Sequence, residues 1–192
     1  MPALAYWLMY DVYSDFGMKT DLASWAGTSW STALRDLFVC IAVNDTGFYW
    51  GHRVLHWGPL YTHIHKKHHE YKAPTSEASE WAHPIEDLFV NIAPTVLGGL
   101  VMGSHLYTFA FWLTLRMWKT CDAHSGYLLP FPLSIFHGLP GLLGADMHDF
   151  HHETTTGGCY GTFTTFWDRI CGTDQAFYAR QAAATTATKK AR

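Results

Sequence analysis

The chain has 192 residues, 48% of them hydrophobic and 16% aromatic, with 15% charged; ordinary soluble domains carry about 25% charged residues. Its 13 Lys+Arg against 16 Asp+Glu leave no basic excess, which argues against a nucleic-acid partner, and the apolar content excludes a disordered chain. Four cysteines, Cys40, Cys121, Cys159 and Cys171, form no C-x-x-C pair, so neither a disulfide scaffold nor a thiolate zinc site is expected. Any metal chemistry falls to the 13 histidines.

In chain order, the first residues lack the basic region and the A-x-A site of a cleavable signal peptide. Residues 37–50 (LFVCIAVNDTGFYW) are apolar and aromatic but broken by Asn44 and Asp45. They read as a helix that is buried, or partly in a membrane, with one polar side turned to protein. A polar run at 62–80 carries Lys66, Lys67 and Lys72. Residues 88–118 are apolar apart from small or neutral polar residues, His105 and Arg116. As one helix these would span about 46 Å, while a bilayer core of about 30 Å needs ~20 residues. Two short helices turning near Gly103-Ser104-His105 fit better than one span, making a hydrophobic hairpin at about 88–118. A membrane setting for the hairpin is preferred over a buried hairpin in a soluble domain. Lys66, Lys67, Lys72, Lys189, Lys190 and Arg192 would then face the cytoplasm. Residues 1–180 are expected to form one domain and 181–192 a disordered tail. Lys189 and Lys190 stand where a dilysine signal for retrieval to the endoplasmic reticulum would be.

Three histidine groups stand out. His52 and His56 form H-x-x-x-H, which on a helix places both rings on one face. His65, His68 and His69 form H-x-x-H-H, and His148, His151 and His152 repeat that spacing. Imidazole donors suit zinc, copper, iron and nickel. Eight ligands exceed what one tetrahedral zinc needs, and H-E-x-x-H is absent, so two ions with open positions are expected. An all-imidazole site carries no charge to offset two cations. A bridging oxide or hydroxide, and carboxylates on the outer ring N–H groups, are therefore expected, with Asp45, Glu70, Asp122 and Asp149 as candidates. His124, in DAHSGY, is placed to add a ninth ligand. His83, in AHP, is a weaker candidate, and His63, His105 and His137 read as structural or surface residues.

The strings NDTGFYWGHRVLH (44–56), IHKKHHEYKAP (64–74), WAHPIE (81–86), DAHSGYLLPFP (122–132), GADMHDFHH (144–152) and FTTFWDRICGTD (163–174) resemble the fatty acid hydroxylase/sterol desaturase superfamily, and within it the 4-methylsterol monooxygenases. The resemblance covers about 7–174. It implies a mostly α, integral-membrane helical protein whose His-rich cytoplasmic cap holds a di-metal site. The implied ligands are His52, His56, His65, His68, His69, His148, His151 and His152, with His124 added, holding two iron ions and no other cofactor. The implied reaction is a monooxygenation that uses O2 to oxidise the 4-methyl group of a sterol precursor, with electrons from NAD(P)H through cytochrome b5 or a reductase. The implied setting is the endoplasmic reticulum membrane, with the cap and C-terminus facing the cytosol. Members of the family usually begin with a further hydrophobic hairpin, and this chain starts just after where it would lie. Other readings stay open: another lipid hydroxylase or desaturase of the superfamily, acting on a sterol side chain, sterol ring, sphingolipid or fatty acid, or a non-catalytic metal- or haem-binding membrane protein.

Overall fold

The computed structural model describes residues 12–131, 133–136 and 139–190, and the fold is all helical, with one isolated antiparallel bridge between Leu142 and Thr164. His137 and Arg192 lie outside the described residues. A short helix, α1 (Leu22–Ala26), is capped by Asp21, whose carboxylate accepts the Ser24 amide at 2.8 Å. After it runs α2 (Trp30–Leu55), started by Ser29, whose hydroxyl accepts the Thr32 amide. Its 26 residues extend about 39 Å. One stripe of α2 is buried: Asp36, Cys40, Asn44, Phe48, His52 and Leu55 recur every three or four residues, the repeat that keeps side chains on one helix face. That stripe sets His52 into the interior. Pro59 opens α3 (Gly58–His63), at the first turn where its missing N–H costs nothing.

The polar run does not continue as α-helix. Residues His65–Glu70 and Ser76–Glu80 form two tighter 3₁₀ helices. The helix α4 (Pro84–Met102) follows, beginning at Pro84, passing through a π-helical stretch (Asp87–Ile92) and ending at Gly103 in the left-handed region, φ 55°. Then α5 (Leu106–Ala123) runs back. His105 caps it by accepting the Tyr107 amide at 3.1 Å, while its other ring nitrogen lies 3.1 Å from the Asp21 carbonyl.

Small residues let α2 and α4 approach backbone to backbone. A Cβ on Gly98 would stand 2.7 Å from Cys40 Cα, and one on Gly47 2.7 Å from Pro94 Cβ. Gly47 and Gly51 are four apart on one face of α2, the small-xxx-small spacing that favours close helix pairs. Beside this pair Met18, Cys40, Phe109, Trp112, Phe136 and Phe163 form the main apolar core. The Trp112 indole donates to the Thr95 carbonyl of α4 at 2.8 Å, tying the two arms together.

The last third adds α6 (Ala145–Thr154), α7 (Phe166–Cys171) and α8 (Gln175–Lys190). Two sequence expectations are corrected here. The stretch from 181, expected to be disordered, continues α8 through its alanines and threonines, with 181–188 exposed; alanine's helix propensity is the highest of any residue. Only Pro84–Met102, among the described residues, is long and apolar enough to cross a membrane. The other arm, α5, carries Arg116, Lys119 and Asp122 in its C-terminal half, all three buried. The outer faces of both arms are nonetheless apolar, with Phe89, Val101, Phe111 and Met117 all more than half exposed.

Candidate metal centre

Four elements deliver histidines to one place. The end of α2 brings His52 and its capping residue His56, the first 3₁₀ helix brings His65, His68 and His69, and α6 brings His148, His151 and His152; His124 caps the end of α5. They sort into two groups, His52, His56, His65, His69 and His151 in one and His68, His124, His148 and His152 in the other. Within each group one ring nitrogen per residue lies within 4.8 Å of all the others. The sorting follows sequence spacing. Residues four apart (52/56, 65/69, 148/152) stay together, whereas His68 and His151, three residues from their neighbours His65 and His148, cross to the other group.

The inward atoms are the Nε2 nitrogens. In the first group His52 and His65 approach to 3.0 Å, His56 and His151 to 3.2 Å, and His65 and His69 to 3.0 Å. In the second, His124 and His148 are 2.9 Å apart and His148 and His152 3.2 Å. The outward Nδ1 atoms decide the tautomers. Those of His52, His151, His152 and His124 meet the carbonyls of Tyr160, Gly158, Tyr71 and Thr120 at 2.7–3.0 Å. A carbonyl only accepts, so each of these Nδ1 atoms carries the proton and each facing Nε2 is a bare lone pair.

All nine rings are held neutral. Burial, reinforced for most of them by the neighbouring imidazoles, lowers every pKa: His56 and His68 to about 4, His152 to about 3, and the other six lowered as well. Converging lone pairs on neutral rings repel one another unless a cation stands between them. Cis ligands at about 2.1 Å from a metal lie about 3.0–3.4 Å apart, the spacing observed. The donor set therefore fits two metal ions, and the chain holds two His-rich groups capable of coordinating them.

The supporting groups differ from those expected. Among the described residues the carboxylate on a ligand ring is Glu86, whose Oε1 lies 2.8 Å from His65 Nδ1. Of the four acidic candidates, Asp45 accepts the Phe163 and Thr164 amides and the Thr164 hydroxyl. Glu70 accepts the Trp81 indole. Asp122 lies 4.0 Å from Lys119 and Asp149 is half-buried; none of the four reaches a ring. Asp168, fully buried, organises the loop after α6 by accepting the Tyr160 and Gly161 amides and the Thr173 hydroxyl. The Gly161 amide belongs to the same peptide as the Tyr160 carbonyl, so Asp168 fixes the carbonyl that orients His52. Outside the groups, His83 caps α4 by accepting the Ile85 amide, His63 is exposed on α3, and His105 is the cap described above. Glu86 was visible in the sequence only as the last letter of WAHPIE, an acidic residue in a first helical turn, which ordinarily needs no further explanation.

The all-helical chain gathers nine imidazoles, eight buried and His56 half-buried, into two adjoining groups capable of binding metal, and the comparisons with known proteins supply the family. The sequence profile of the fatty acid hydroxylase family matches residues 37–173, and the chain belongs to that family. It is 40% identical over 170 residues to methylsterol monooxygenase 2-2 of Arabidopsis thaliana, which covers 88% of this chain and 62% of that protein. It is 38% identical over 172 residues to a very-long-chain aldehyde decarbonylase of Oryza sativa subsp. indica, covering 88% of this chain and 62% of the relative. A methylsterol monooxygenase of Aspergillus fumigatus is 38% identical over 172 residues, covering 88% of this chain and 56% of the relative. The chain thus spans about three fifths of the length of these relatives. No solved structure matches it.

Proposed function

We propose that this chain is a membrane-associated di-iron monooxygenase that oxidises the 4-methyl group of sterol precursors with O2. One iron would be held by His52, His56, His65, His69 and His151, the other by His68, His124, His148 and His152. The observation that carries the reading is the convergence of nine Nε2 atoms on two points, four of them with tautomers set by backbone carbonyls. Bound iron supplies activation of O2 toward an unactivated C–H bond, which no side chain can provide. The residues of the chain hold the rings neutral, keep the lone pairs aimed and exclude water. Burial pushes the Glu86 carboxyl up to about 8; beside bound iron it would ionise and add negative charge through His65. Electrons would come from NAD(P)H through cytochrome b5 or a reductase. The apolar faces of α4 and α5 would place the protein in the endoplasmic reticulum membrane, with the histidine cap and C-terminus in the cytosol.

The methylsterol monooxygenases among the relatives support the sterol substrate; the aldehyde decarbonylase of rice supports a second reading, a long-chain aldehyde or another lipid handled by the same centre. The sterol profile of cells lacking their own 4-methyl sterol oxidase and expressing this chain separates them. Loss of accumulated 4-methyl sterols, reversed by His148→Ala, is the expected result. Unchanged sterols beside stable, membrane-bound protein would overturn the sterol assignment.

A further inference from the structure

Between α4 and α5 lies a cleft of about 400 Å³, and beside the two histidine groups lies a chamber of about 20 Å³. They share three wall residues, Ser79, Asn91 and Thr120, so the cleft adjoins the histidine groups across a polar neck formed by these three side chains. The chamber has room for one water-sized group. A methyl fits, and a ring or a chain does not. Whatever reacts there must project from a body that stays in the cleft.

The cleft is graded along its length. On α5, Leu113, Arg116, Met117 and Thr120 share one face, and Leu113 stands about 16 Å from His124 along the helix axis. Leu113 and Val96 line the outer part, while Arg116 and Thr120 stand nearer the neck. Arg116 is the unusual group. It is 8% exposed, has no ion-pair partner among the described residues, donates to the Thr120 hydroxyl, and leaves its Nε–H without an acceptor. Arg116 lines the cleft together with Glu80 and Asp87, and its unpartnered Nε–H, sealed from solvent in this arrangement, is unfavourable until a small side-chain shift brings a polar group beside it.

Building on the oxygenase reading above, we propose that this cleft seats a lipid with its polar end inward, that Arg116 grips the hydroxyl or carbonyl there, and that the reacting carbon is the one next to that polar group. The apolar body lies outward against Val96, Leu113 and Met117. A 4-methyl-3-hydroxysterol meets this requirement, because its methyl-bearing carbon adjoins the hydroxyl-bearing one. An aldehyde or primary alcohol of a long chain meets it too. Oxidation at the remote, apolar end of a sterol side chain or an alkyl chain does not. Oxidation of the methyl as far as a carboxylic acid would place a carboxylate beside the same guanidinium.

The test is equilibrium binding by purified protein in detergent, with radiolabelled 4,4-dimethyl-3β-hydroxysterol, its 3-deoxy analogue, a long-chain primary alcohol and the matching alkane. Iron content is measured on every variant as the check on the histidine groups. Wild type should prefer the 3-hydroxysterol over the deoxy compound by about tenfold, as expected for a hydrogen bond from a charged donor. Arg116→Met should erase the preference and Arg116→Lys should retain part of it, both with iron unchanged. Leu113→Trp should weaken both sterols alike. Equal binding of the two sterols by wild type, or a preference that survives Arg116→Met, would overturn the proposal. So would loss of iron in both Arg116 variants, which would make the residue a structural support of the histidines. If neither sterol binds but the alcohol is preferred over the alkane in an Arg116-dependent way, the polar-end-inward cleft stands and the sterol assignment falls.

Discussion

Glu86 offers the sharpest test of how the histidine groups are tuned. Its Oε1 stands 2.8 Å from His65 Nδ1, with the two side chains only 5% and 1% exposed, so the pair is sealed from bulk solvent. An outer partner of a ligand imidazole typically changes metal affinity 10- to 100-fold, or about 1.4–2.7 kcal/mol. Glu86→Ala removes both the acceptor and the charge and should fall near 100-fold. Glu86→Gln keeps an amide oxygen for His65 and should fall near 10-fold. The effect should be confined to the group that contains His65. Competition of ferrous protein against a graded chelator reads this directly: the variants should lose one iron early and hold the second to the wild-type chelator concentration. Two irons leaving together at the wild-type concentration would refute the reasoning.

Other outcomes follow from the same geometry. Asp168→Ala frees the Tyr160–Gly161 turn and should destabilise the fold by about 3 kcal/mol, the cost of breaking a buried multi-bond acceptor; a melting temperature within a degree of wild type would contradict it. Metal-free protein should weaken in acid. The His56 ring stays neutral in the fold down to about pH 4 but takes a proton near pH 6.5 when unfolded. Its stabilisation is therefore complete above about 6.5 and lost as pH falls toward 4, about 3 kcal/mol over that window. Denaturant midpoints that stay flat from pH 7 to pH 4.5 would rule this out. Gly98→Ala places a methyl 2.7 Å from Cys40 Cα and should cost about 1–3 kcal/mol by overpacking, whereas Gly58→Ala, which meets open space, should be close to neutral; equal effects of the two in thermal melts would remove close α2–α4 packing as the cause.

The sequence exposed the metal centre better than it exposed its surroundings, for a physical reason. Histidines in pairs four residues apart leave a local signature, so His52/His56, His65/His69 and His148/His152 stand out without any tertiary information. His124 had only its position at the end of an apolar segment to mark it, and the structure places it in the second group. Glu86 reaches His65 across 21 residues, and the carbonyl of Tyr71 reaches His152 across 81. Such contacts have no period to read. Of the nearby acidic residues, Asp45 instead holds the Phe163–Thr164 loop and Glu70 the Trp81 indole. The helical hairpin was expected from length, but the three charged residues of its second arm give it a buried polar side that leaves one candidate span. The 3₁₀ geometry of 65–70 and the helicity of the tail were likewise not visible, the first because i, i+3 and i+4 spacings suit either helix type, the second because low complexity was read as disorder.

The π-helical stretch of α4 separates two alignments that one α-helix could not keep together. Before it stands Glu86 against His65; after it stands Gly98 against Cys40. Wider turns in Asp87–Ile92 take up the phase difference between them. Removing a single residue from that stretch would let the turns relax to ordinary pitch and rotate one end against the other by about 100°. The carboxylate would then leave its imidazole, or the helix pair would lose its close seam. Exchange of side chains on the outer surface of this stretch changes neither alignment. Among natural variants of the fold, this stretch should accept many spellings and only one length.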